Sequence, residues 1–236
     1  MSKMVYILIL LLTISYCIDA QKILMEDTVE DTIVVPEKGP NSKKFSHFYY
    51  SIGNFIPVNT GGFNTQIFGS VCNEIGWRYK RKINEILSFG YSFSVSMKDY
   101  SLKQDSAKIF PTTTLFDKEK IRIDALNLEL YQRFNTGKRG DYMGYFVDIG
   151  ISGGWNYFSK HISKEVSLNT DQGKKLKNIY IRPPYISDFN LNLIFRLGIN
   201  NLVLWGSLPV SRFIDLEHYP DNINGFWLGL QIGLHK

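Results

Sequence analysis

The chain has 236 residues, a formal net charge of +5 and a sequence pI near 9.0, a length that fits one domain or one barrel. Its two cysteines exclude a disulfide framework, and with only four histidines beside them the chain offers no persuasive metal site. Mean hydropathy, at −0.13, does not flag a membrane protein, but a barrel escapes such averages because only every second residue of a strand faces lipid.

Residues 1–20 have the layout of a secretory signal peptide. Lys3 supplies the positive start, Met4 to Ser15 is apolar apart from Thr13, and Ile18-Asp19-Ala20 ends on a small residue. Cys17 leaves with this segment, so Cys72 remains alone. Residues 21–44 are rich in Glu, Asp, Lys and Pro without alternation, and are expected to form a flexible leader on the periplasmic side.

From residue 45 the hydrophobic period changes to two. Phe48, Tyr50 and Ile52 share a face in a strand at about 45–56. The next strand, about 66–79, sets Val71, Ile75, Trp77 and Tyr79 against Cys72, Glu74, Gly76 and Arg78. In the third, about 85–100, Leu87, Phe89, Tyr91, Phe93, Val95 and Met97 are separated by Ser88, Gly90, Ser92, Ser94, Ser96 and then Lys98. A helix does not sort large apolar from small polar residues in this way over twelve positions. The same rhythm predicts strands at about 121–134, with Glu129 and Arg133 on the polar face, and at about 142–157, with Asp148. It returns at about 185–198, with Arg196, and at about 225–235. A segment at about 202–210 completes eight, with unclear facing because Leu202 to Trp205 is apolar throughout.

Short turns (80–84, 135–141, 199–201) alternate with longer polar connections (57–65, 101–120, 158–184, 211–224). This is the layout of an all-β, transmembrane, antiparallel up-and-down barrel with periplasmic turns and outer loops, occupying residues 45–236. A soluble lipocalin-like barrel shows the same alternation with the apolar face inward. The Gly- and Ser-rich polar face suits a narrow lumen better than a solvated exterior. Trp77, Tyr79, Tyr142, Trp155, Tyr157, Phe226 and Trp227 lie near strand ends, where interfacial girdles form. On these grounds residues 45–236 resemble the small outer-membrane barrels related to OmpX and to the transmembrane part of OmpA. The resemblance is one of architecture and implies a bacterial outer-membrane location. The chain departs from it in ending Gly233-Leu234-His235-Lys236, without a final aromatic residue.

Glu74, Arg78, Lys98, Glu129, Arg133, Asp148 and Arg196 are expected to point into the lumen. There, unpaired charges are costly, so a salt-bridged plug is favoured over an ion path. Some small outer-membrane barrels modify lipid A, and such chemistry needs Ser, His and an acid converging at the outer rim. His161 with Ser159, Ser163 and Glu165, and His218 with Ser211, Asp215 and Glu217, are the candidates, both assigned to loops without a nucleophile motif. No cofactor is implied, and Gly61-Gly62 and Gly153-Gly154 lack the spacing of a phosphate loop. Lys160, Lys164, Lys174, Lys175, Lys177 and Arg182 make the 158–184 connection basic, which suits outer-membrane lipid and lipopolysaccharide as partners. Nucleic acid does not fit this location. In size and layout the chain is also similar to small barrels that assist protein secretion, so a membrane protein complex is a further expected partner. The sequence thus points to a non-catalytic barrel, structural or accessory to a surface or secretion assembly.

Overall fold

A computed structural model of the chain describes residues 40, 42–58, 64–106, 108, 110–136, 144–166, 175–212 and 225–235. The expected signal peptide, residues 1–20, and most of the expected leader, residues 21–44, lie outside the described residues. Among the described residues there are nine strands: β1 (Lys44–Pro57), β2 (Val71–Lys82), β3 (Leu87–Leu102), β4 (Lys118–Thr136), β5 (Tyr145–Val166), β6 (Lys175–Ile181), β7 (Phe189–Ile199), β8 (Leu202–Pro209) and β9 (Gly225–Leu234).

Eight of them close a ring. Each pairs antiparallel with its neighbours in the order β1-β2-β3-β4-β5-β7-β8-β9, and β9 returns to β1 through Phe48↔Leu234 to Pro57↔Gly225. Closure leaves no free edge within the ring, which a strand set in lipid requires because no water is there to satisfy an open ladder. The eight-stranded, closed, antiparallel architecture implied by the sequence resemblance is the architecture found.

The ninth strand is a difference from the expectation. The 158–184 segment is not a loop throughout: β5 continues to Val166 and β6 pairs with its last seven residues, Lys160↔Ile181 to Val166↔Lys175. With the upper parts of β3 and β4, this makes a four-stranded arm beyond the ring. A bulge explains why alternation did not reveal it. The β4–β5 register passes from Ala125↔Asn156 to Asp124↔Phe158 and skips Tyr157. The inward face therefore moves from even positions (Ser152, Gly154, Asn156) to odd ones (Ser159, His161, Ser163).

Around the ring the exterior is apolar. Phe48, Ile52, Ile75, Phe89, Phe93, Val95, Leu126, Leu128, Leu130, Ile149, Phe195, Leu204 and Leu230 are all exposed. The interior is lined by Arg78, Ser92, Ser96, Asn127, Glu129, Arg133, Asp148, Ser152, Asn192, Arg196 and Gln231, all buried. This inverts the soluble barrel and removes the lipocalin-like alternative. A wall of this polarity is stable only when an apolar medium surrounds it, so the ring is a membrane-spanning barrel. Short connections gather at one end of the ring and long ones at the other.

Candidate functional site

The lumen is a packed stack of polar side chains. At its turn end, Pro40 is buried and accepts a hydrogen bond from Lys80. Pro40 is thus held in this mouth. Phe45, His47 and His235 pack together there, with the two imidazoles 4.8 Å apart. Burial, then the charges of Arg133 and Lys80, lowers the affinity of His235 for a proton.

Above this mouth Arg133 grips Asp148 with two hydrogen bonds, of 2.6 and 2.8 Å, both side chains only 1% exposed. Arg133 and Asp148 are cross-strand partners on β4 and β5. One layer higher, Arg196 of β7 reaches across to Glu129 of β4, which also accepts a 3.0 Å bond from Ser92. Arg78 lies over the ring of Tyr49 at 4.5 Å and donates to Gln231 at 3.2 Å. The Tyr49 hydroxyl donates to Glu74 at 2.7 Å. Lys98 stands at the top of the stack between two cavities of about 20 Å³ each, a size suited to a single water molecule. All seven lumen charges expected from the sequence lie on the inward face. The structure adds what sequence reasoning missed: Tyr49, Tyr131 and Gln231 serve as partners, and Arg78 is held by aromatic rings and an amide rather than by a salt bridge.

Beyond the cavities the interior becomes apolar. Phe55, Tyr100 and Trp227 meet edge to face with ring centres 5.1–5.3 Å apart. Cys72, Leu102, Phe110, Ile121, Ile123, Ile186 and Trp205 complete the cluster. Trp227 is fully buried here, which corrects its assignment to the outer girdle. Phe226, Trp227 and Leu228 are consecutive apolar residues, and above the lipid-facing zone the inside is apolar too, so hydrophobicity alone does not set the facing there. Of the other girdle candidates, Trp155 is 50% exposed on the outward face, Trp77, Tyr79, Tyr157 and Phe226 are half-buried, and Tyr142 lies outside the described residues. Trp77 pairs with both Phe48 and Phe93, well inside the wall rather than at its rim.

Glu119 is the hub of the outer mouth. It takes hydrogen bonds from His161 at 2.7 Å and Gln104 at 2.9 Å and pairs with Lys108, with all three carried by β5 or the β3–β4 connection. Gln104 also accepts from the Phe116 amide at 2.8 Å. The connection therefore folds inward, with Phe110 buried against Tyr185 at 5.1 Å, instead of projecting as a polar loop. Burial opposes charge on Glu119, but the bonds from His161, Lys108 and Gln104 outweigh it and hold its carboxyl below the ordinary 4.5.

His161 is thus on a strand, not in a loop, and its acidic partner is Glu119 rather than Glu165. An imidazole bonded to a carboxylate is half of a general-base arrangement. Ser159 and Ser163 are buried on the same strand, but among the described residues neither hydroxyl hydrogen-bonds His161. Of the second expected group, Ser211 accepts a 2.7 Å bond from the Leu191 amide, and Asp215, Glu217 and His218 lie outside the described residues. Among the described residues no three His, Cys, Asp or Glu side chains come together as a metal site would require.

No protein-family model matches the chain, and no curated protein matches it in sequence. Among solved structures it is similar to Ail, the attachment invasion locus protein of Yersinia pestis, determined in complex with the heparin analogue sucrose octasulfate. Identity is 12%, the match covers 80% of this chain and 97% of that one, and the TM-score is 0.36.

Proposed function

We propose that the chain is a bacterial outer-membrane barrel, exported by residues 1–20, with its turn end in the periplasm and its loop end outside. It carries out no reaction and acts as a closed scaffold, accessory to a surface or secretion assembly. The observation that carries this reading is the combination of an apolar exterior with a filled lumen: Arg133–Asp148, Arg196–Glu129 and the Phe55–Tyr100–Trp227 cluster occupy the space a pore needs. An eight-stranded ring has room for side chains and little else. Outer-membrane lipid and lipopolysaccharide are its surroundings, and a membrane protein complex is its expected partner.

The protein refolded into planar bilayers is expected to show no large, stable conductance, while its migration on gels changes on heating, as for a resistant barrel. Porin-like steps would defeat the closed-scaffold reading. The Glu119–His161 pair is the one observation favouring a lipid A-modifying enzyme. Mass spectrometry of lipid A from cells with wild-type protein, the deletion, His161→Ala or Ser163→Ala separates the two readings. An acyl-chain change on deletion that both substitutions reproduce would make this an enzyme.

A further inference from the structure

On the outward side of the arm, the register of β4, β5 and β6 sets residues in three rows: Arg122–Lys160–Ile181, Lys120–Ile162–Ile179 and Lys118–Lys164–Lys177. Strand spacing makes this grid about 10 Å wide and about 13 Å tall. Arg122 is committed to Asp99 through bonds of 2.6 and 2.9 Å. The five lysines make no ion pair among the described residues, and Lys118, Lys164 and Lys177 are exposed. Asp124, at the lower margin, carries a negative charge that interacts with Arg122 and Lys160.

Resting on the outer-membrane reading, we infer that this grid docks the phosphate groups of anionic glycolipid in the outer leaflet. Charge alone permits any polyanion; position selects the lipid. The grid continues the lipid-facing wall on the same strands, so it faces sideways along the membrane rather than up into the medium. Directly beneath it, Trp155, Tyr157, Phe158 and Phe189 form a band of outward aromatics, the signature of the boundary between hydrocarbon and headgroups. Trp155 pairs with Leu126, and the cations begin four residues higher on β4. That is a height of about 10 Å for a tilted strand, rising to about 20 Å at Lys118, through the first polar layer. Ile162, Ile179 and Ile181 stand among the lysines and offer their stems an apolar surface, and the Lys160 amine lies 5.7 Å from the centre of the Phe158 ring.

The test uses the full barrel in zwitterionic detergent, titrated with bisphosphorylated lipid A and with the same glycolipid stripped of phosphate. One variant combines Lys118→Gln, Lys120→Gln, Lys160→Gln, Lys164→Gln and Lys177→Gln, and heat-shifted gel migration checks its folding. A second, Lys120→Gln with Lys160→Gln, serves if the first does not fold. Wild type is expected to prefer the phosphorylated lipid in a salt-sensitive manner. The five-fold variant should lose affinity by about tenfold or more, and the pair by less. Lys43→Gln with Lys44→Gln and Arg81→Gln, at the turn end, should leave binding unchanged. Equal binding by wild type and the five-fold or paired variant, or no preference for phosphate, overturns the inference. Labelling of Lys177→Cys by an impermeant maleimide on intact cells tests the orientation separately. Labelling with unchanged lipid affinity defeats the docking surface alone, whereas absence of labelling defeats the outer-membrane orientation and the docking surface with it.

Discussion

The strands β4 and β5 pass through two regions with opposite polarity rules. Within the ring, β4 turns Leu126, Leu128 and Leu130 outward and Asn127, Glu129 and Arg133 inward. A few residues earlier in the chain, in the arm, the same face carries Lys118, Lys120 and Arg122 outward, while Ile121 and Ile123 are buried inside. On β4 odd residues point inward throughout, and on β5 the extra residue at Tyr157 changes the parity while keeping the two faces continuous. What changes is the surrounding medium. Against lipid, the cheapest exterior is apolar and the polar groups must find each other inside. Against water, the hydrophobic effect restores the ordinary order. The switch falls at Asp124 and Ala125, beside the bulge at Tyr157.

The largest expected effect comes from breaking the interior order of the ring. Glu129→Ala leaves Arg196 buried without its carboxylate and removes a negative charge that also acts on Arg78. It should cost about 3–5 kcal/mol. Replacing both partners, Glu129→Gln with Arg196→Met, should recover much of that loss, because Arg196 no longer leaves a buried charge without its carboxylate. Lys118→Ala in the arm should stay within about 0.5 kcal/mol. Urea unfolding of the refolded barrel, followed by tryptophan fluorescence, measures all three. Equal costs for Glu129→Ala and Lys118→Ala would mean that the lumen is wet enough to screen its charges.

A somewhat smaller effect tests the exterior. Leu128→Arg puts a cation against hydrocarbon and should cost about 2–4 kcal/mol, or block insertion. The reverse exchange in the arm, Lys120→Leu, should change stability by no more than about 0.5 kcal/mol. If the two substitutions behave alike, the boundary between lipid and water is not at Asp124.

Those two regions also explain what the sequence could and could not reveal. Alternation located seven of the eight ring strands, because within the ring each keeps one parity, as Leu87 to Met97 shows; the segment at 202–210 completed the set with its facing unclear, because Leu202 to Trp205 is apolar throughout. It failed where the medium or the parity changed. The bulge at Tyr157 moved His161 and Ser163 to the inward face, and beyond it Ser159, His161 and Ser163 alternate with Lys160, Ile162 and Lys164, a pattern polar on both sides that resembles a loop. Trp227 was misplaced because it lies where the interior itself has become apolar. Glu119 was missed for a different reason. Its partners come from two other stretches of chain, Gln104 and Lys108 from the β3–β4 connection and His161 from β5, and no local pattern in Lys118-Glu119-Lys120 announces that the middle residue is buried.

The smallest expected effect concerns how that arm interior is held. The Glu119 carboxyl titrates below its ordinary 4.5 because the bonds from His161, Lys108 and Gln104 outweigh its burial. A depressed carboxylate contributes its stabilisation in full above the unfolded value and loses it as pH falls through the folded one. The β3–β4 connection should therefore stay docked from pH 8 down to about 5 and loosen only in more acid solution. A spin label at Thr113→Cys, an exposed position on that connection, reads this directly as mobility. In Glu119→Gln the label should be more mobile at every pH, with no acid step. In His161→Ala one of the three lowering bonds is gone, so the step should survive but move up toward 4.5. The ring provides the contrast. Arg133–Asp148 and Arg196–Glu129 are enclosed in the membrane zone, so a label on the outward face there, at Leu130→Cys, should show no step over the same range. A loosening of the connection between pH 8 and 6 would mean that a group other than Glu119 holds the outer mouth closed.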